Sequence, residues 1–131
     1  MKPLPSDYRI LKEIYELYYD DFSNHDHAKE SKIMYPIDLE LVANKLKADP
    51  NVVFGRLHYY LSEKYSYKTG ESAWVRFFSL NAGNRGHCVN FPLMASVLAS
   101  MREENSKFVW ATSLSVLAII ISIASLVINI A

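Results

Sequence analysis

The chain has one cysteine, four glycines, no net charge and, beyond Lys107, no charged residue at all. Each shortage excludes something. A lone cysteine, Cys88, cannot form an internal disulfide, which agrees with a reducing compartment, and its expected role is that of a small buried hydrophobe. The few glycines form no phosphate-cradling loop, and no HExxH or nucleophile elbow is present. Lys plus Arg and Asp plus Glu both total 14, so the chain is not the broadly basic type expected of a nonspecific nucleic-acid binder. The opening residues, MKPLPSDYRI, lack the apolar core of a secretory signal, so no export signal is expected.

The abundant feature is apolar. Residues 108–131, FVWATSLSVLAIIISIASLVINIA, contain no charge, no Pro and no Gly. As a helix rising about 1.5 Å per residue, this run spans about 36 Å, more than the roughly 30 Å hydrocarbon core of a bilayer. An unbroken helix also satisfies every backbone N–H and C=O internally, as hydrocarbon requires. Residues 108–131 therefore predict one transmembrane helix, held at the end of the chain. Arg102 and Lys107 precede it and nothing basic follows, which by the positive-inside bias keeps residues 1–107 cytoplasmic; in a bacterial cell the membrane would be the inner one. Phe108 and Trp110 fall at the interface level that aromatic rings favour.

Residues 1–107 have the size of one small domain. Ser6 and Asp7 open a helix whose apolar stripe is Ile10, Leu11, Ile14, Leu17 and Tyr18, running to about Phe22. Residues 23–32 read as a solvated loop, and 33–37 as a short extended stretch in which Pro36 limits sheet pairing. Asp38 is placed to cap a helix with Leu39, Val42, Ala43 and Leu46 on one face. Ala48-Asp49-Pro50-Asn51 breaks it, and Asp49 with Pro50 starts another, whose buried positions would be Val53, Leu57, Tyr60 or Leu61, and Tyr65. Residues 72–80 and 87–91 then read as two strands around an Asn/Gly turn cluster. Pro92 begins a last helix over 92–105, with Leu93, Met94, Val97, Leu98 and Met101 apolar, and no breaker separates it from the membrane segment.

In Val42-Ala43, Leu46, Asp49, Val53, Leu57 and Tyr60 the chain resembles the helix-turn-helix of the winged helix superfamily, and residues 72–91 resemble the strand, wing and strand that follow. The resemblance covers about residues 33–91 and is topological. It implies an α+β fold: a small winged helix-turn-helix domain, then a connecting helix, then one C-terminal transmembrane α-helix. It also makes residues 50–64 the recognition helix.

On that helix Asn51 and Arg56 have the chemistry to contact base edges or phosphates, and Lys64, Lys68, Arg76 and Arg85 could meet phosphates from the helix end and the wing. From Lys45 to Arg85 seven basic residues stand against three acidic ones. An ordinary solvated surface explains them equally well. The neighbours Val52, Phe54 and Tyr59 are apolar or aromatic and suit a protein-binding patch better than a DNA groove.

In the membrane segment, Ala111, Ser115, Ala118, Ser122, Ser125 and Asn129 recur at alternating steps of four and three. Small and polar side chains thus fill one seam, which favours close, left-handed helix pairing and a homo-oligomer. The plain alternative is that Ser and Ala are common in single-pass helices. Elsewhere, His25-Asp26-His27 lacks a second ligand pair for a metal, and the acidic residues of the first helix need only solvent. No catalytic residue, cofactor, metal or small-molecule substrate is assigned, so an enzyme is not expected. The leading reading is a membrane-tethered binding module for a protein partner or DNA that self-associates through its membrane helix. The alternative is an oligomerising, membrane-acting effector of the bacterial defence or toxin type, whose cytosolic domain senses or regulates.

Overall fold

The computed structural model describes residues 4–24, 33–80 and 86–130, and they form two compact units divided between Leu98 and Ala99. The first unit begins with α1 (Asp7–Ser23). Ser6 caps it by accepting a hydrogen bond from the Arg9 N–H, and Ile10, Leu11 and Ile14 form its buried stripe. Strand β1 (Met34–Pro36) follows, then α2 (Leu39–Leu46), capped by the Asp38 carboxylate on the Glu40 and Leu41 N–H groups. Leu39, Val42, Ala43 and Leu46 are its buried face, as the spacing predicts.

Helix α2 ends on Lys47 in the left-handed region, at φ 56°, before Asp49 caps α3 (Pro50–Gly55) through the Asn51 N–H. The helix then continues as a π-helical turn, Arg56–Leu61, in which the Ser62 N–H bonds to Leu57 five residues back, and closes as α4 (Ser62–Tyr65). Periodicity does not announce this widening. It settles the ambiguity at the third core position: Val53, Leu57 and Leu61 are buried, while Tyr60 stands half in solvent.

The next segment corrects the expected single strand over 72–80. Tyr67–Thr69 (β2) and Ala73–Val75 (β3) make a hairpin that turns at Gly70, whose φ of +67° a side chain would resist. Phe78–Ser79 (β4) is a separate short strand. It pairs with Cys88–Asn90 (β5), which also pairs with β1, giving the antiparallel order β1-β5-β4. Pro36 sits in that ladder opposite Cys88, at the sheet edge where a missing N–H is tolerated. Most of the turn cluster, 81–85, lies outside the described residues, as does the loop over 25–32.

Two polar contacts fasten the helix end to the sheet: the buried Ser62 hydroxyl donates to the Phe78 carbonyl, and the Phe77 N–H donates to the Ser66 hydroxyl at 2.9 Å. The core gathers Ile10, Leu11 and Ile14 with Val42, Val53, Leu57, Leu61, Phe77 and Val89, all essentially unexposed. Each such aliphatic or aromatic side chain contributes about 1.5–3 kcal/mol on leaving water. Beside it, Phe22 stacks on Phe91 at 4.4 Å, with Tyr15 and Tyr35 against the same ring. Cys88 is fully buried and its thiol meets the Gly86 carbonyl, the role expected of it.

Helix α5 (Phe91–Ile130) is a single helix of 40 residues, started by the Asn90 side chain, which accepts from the Leu93 N–H. Its first turns bury Phe91, Met94, Val97 and Leu98. No break occurs at 105–108, where the expected connecting and membrane helices meet. In the second unit, residues 102–130 are exposed and the helix is long and apolar enough to cross a membrane.

Candidate binding surface

Because Asp49 caps α3 and Pro50 supplies its first helical residue without needing a donor, the helix emerges with Asn51 and Val52 in solvent and Val53 turned inward. Phe54, one step on, is half-buried and becomes the centre of an aromatic group. His58 stacks on it at 5.3 Å, His87 meets it edge-on at 5.3 Å, and Phe78 lies at 6.1 Å and stacks on His87. Tyr59, at 72% exposure, packs its ring against His58 at 4.7 Å and meets Phe54 edge-on at 6.3 Å. The π-helical turn holds Leu57 and Leu61 in the core while presenting His58, Tyr59 and Tyr60 outward, and such turns concentrate at functional sites.

Next to Phe54 lies an open cleft of about 670 Å³, into which Asp38, Glu40, Asn51 and His87 also face, over an apolar edge from Ile37 and Leu39. Two of its four polar lining groups are carboxylates. A phosphate backbone entering there would meet like charge, whereas a polypeptide with an apolar anchor and a basic or amide-bearing neighbour would not.

The expected contact residues do not form one patch. Asn51, Val52, Phe54 and Tyr59 share the π-turn region. Arg56 does not join them as a free cation: its guanidinium donates to the Asp7 carboxylate of α1 at 2.7 Å, with both side chains mostly buried. Lys64 rides over the Tyr60 and Tyr65 rings, at 5.8 and 5.4 Å. The ionising hydroxyl of Tyr65, then that of Tyr60, holds its ammonium above the ordinary value of 10.5. Lys68 belongs to β2, and Arg76, one residue past β3, lies over the Trp74 ring. Arg85 lies outside the described residues, and so does His25-Asp26-His27.

Sequence reasoning missed His58, His87, Asp38, Glu40 and Trp74 as part of these surfaces. Asp38 was legible as a cap, but its place at the rim of a cleft depends on where α2 meets α3. Among the described residues no cluster of three or more His, Cys, Asp or Glu side chains could hold a metal ion.

In the apolar unit, the seam hydroxyls turn back on their own helix. Ser115 donates to the Ala111 carbonyl at 3.0 Å, and Ser122 to Ala118 at 2.9 Å. Each hydroxyl thus has its donor satisfied within its own helix.

No family model matches the chain, and neither a curated protein nor a solved structure matches it.

Proposed function

We propose that the chain is a membrane-tethered winged-helix module that recruits a protein partner at the bilayer, with residues 1–107 on the cytoplasmic side. The sheet order β1-β5-β4, with the α2–α3 helix pair between β1 and the last two strands, supports the winged-helix reading, and the β2–β3 hairpin is an addition to that pattern. The observation that carries the choice of partner is the recognition surface itself. Phe54, Val52 and Tyr59 are presented beside a cleft with Asp38 and Glu40, while Arg56 is already engaged by Asp7. Protein interfaces are rich in such aromatic anchors and poor in free charge at their centre, whereas DNA binding needs uncompensated cations.

Tethering raises the concentration of whatever the module holds near the membrane. Self-association along Ala111, Ser115, Ala118, Ser122, Ser125 and Asn129 would multiply it further, each polar contact contributing on average about 0.6 kcal/mol.

The test is affinity capture of the full chain from solubilised membranes, with a Val52→Asp, Tyr59→Asp variant alongside. Both positions are exposed, so the buried core is left unaltered; an unchanged circular dichroism spectrum checks the fold, and the variant should lose a partner polypeptide that the unaltered chain retains. A salt-sensitive shift of duplex DNA by the solubilised protein, lost on Lys64→Ala with Lys68→Ala and unaffected by the aspartates, would replace the protein reading with the DNA one.

A further inference from the structure

The β2–β3 hairpin carries a face that the partner-binding surface does not use. Lys68 and Trp74 are directly opposite in the ladder and so share one side of the hairpin, and Arg76, one residue past the end of β3, joins them by lying over the Trp74 ring. The guanidinium of Arg76 lies 4.9 Å from the centre of the Trp74 ring, and 53% of Trp74 remains exposed. Against the same indole opens a cleft of about 330 Å³ whose wall is apolar, with Met34, Val75 and the 49% exposed Ile33. Neither Lys68 nor Arg76 has a carboxylate partner among the described residues, and over residues 64–76 three basic residues stand against the single acid Glu71.

We propose that this Lys68–Trp74–Arg76 face binds the anionic headgroups of a lipid bilayer, with the indole at the headgroup–acyl boundary and the two cations on phosphate. Three features select this occupant. An indole with one wet edge over an apolar wall is the side-chain type that settles at the membrane interface. Unpaired Lys and Arg on the same face add attraction to anionic lipid, roughly fivefold in binding per cation. And the same chain contains a helix able to span a bilayer, so a lipid surface is within reach of the domain at high effective concentration. The proposal draws on the spanning reading of α5 for that last step only. It gives the module a second, reversible membrane contact, set by lipid charge.

The chain has two tryptophans, Trp74 and Trp110, and each can be read alone. The full chain is reconstituted into phosphatidylcholine vesicles with bromine on the upper acyl chain, with and without phosphatidylglycerol. In a Trp110→Phe variant, Trp74 fluorescence should be quenched when phosphatidylglycerol is present, and released by high salt. The quenching should be reduced by at least half in Lys68→Gln with Arg76→Gln, which keeps the hairpin ladder. A Trp74→Phe variant reports Trp110, which should be quenched in both lipids if the helix inserts. Quenching of Trp110 with none of Trp74 in anionic vesicles overturns the proposal. So does Trp74 quenching that ignores lipid charge and the glutamines, or a Trp74 response to a single-stranded oligonucleotide with none to lipid. Quenched Trp74 beside unquenched Trp110 would uphold the hairpin face and refute the spanning helix instead.

Discussion

Arg56 and Asp7 show how a residue's role follows from a partner far away in sequence. Arg56, at the start of the π-turn, reads as a free contact until α1 places a carboxylate 2.7 Å from it. The pair is partly shielded from water, so Arg56→Ala and Asp7→Ala should each lower stability by about 1 kcal/mol, and the double variant by less than the sum. A denaturation cycle on the solubilised protein measures that coupling. Tyr18 offers a second test. Its hydroxyl accepts the Asp38 N–H at 2.7 Å, and burial, outweighing that hydrogen bond, holds it above its ordinary value of 10.0. The folded state therefore keeps the proton after the unfolded chain has begun to lose it. Stability from this group is intact below about pH 10 and declines as the pH rises above it. Tyr18→Phe should make that alkaline decline shallower in pH-dependent unfolding curves. Neither relation is legible in sequence, because one spans α1 to the π-turn and the other α1 to the α2 cap.

At the scale of elements, what sequence foretold and what it did not divide along physical lines. Caps are local chemistry, and Ser6, Asp38 and Asp49 cap α1, α2 and α3 as their side chains predict. The apolar face of α2 and the first three positions of the α1 stripe follow from periodicity in the same way, whereas Leu17 and Tyr18 are only half-buried. The run Ser72–Leu80 misleads because its aromatic and branched residues look continuous. The ladder is set instead by the Gly70 turn, which pairs Tyr67–Thr69 with Ala73–Val75, and by Ser66, whose hydroxyl takes the Phe77 N–H and sends the chain into β4. The π-turn is equally silent in sequence, since a four-residue spacing from Leu57 to Leu61 fits an α-helix as well. Lys47 ends α2 at φ 56°, a conformation that costs a residue with a Cβ about 1 kcal/mol, so Lys47→Gly should stabilise the domain by roughly 0.5–1 kcal/mol. Leu61→Ala should cost about 2–5 kcal/mol while Tyr60→Ala stays within about 0.5, a contrast in thermal melts that reports which side chain the π-turn buries.

On the scale of the whole molecule, a small α+β domain and a long apolar helix are joined by unbroken helical backbone. The apolar run was the plainest feature of the sequence, because length and lack of charge alone mark a helix able to span a bilayer. The aromatic–histidine surface was half legible: Val52, Phe54 and Tyr59 stood out, but His58, His87 and the acidic rim needed the sheet to bring residues 38 and 87 beside residue 54. If the seam pairs helices, Ser115→Leu with Ser122→Leu should shift the solubilised protein toward monomer on cross-linking. A recruiting module should leave membrane potential unchanged on expression, whereas a membrane-acting effector would collapse it. The most direct test of the account is photo-crosslinking in membranes, with a photoreactive residue placed in turn at Val52, at Tyr59 and, as a control on exposed α1, at Glu16. The account predicts membrane-fraction adducts to the same second polypeptide from positions 52 and 59 and none from 16. Adducts to nucleic acid from 52 and 59, or equal yields from all three positions, would contradict it.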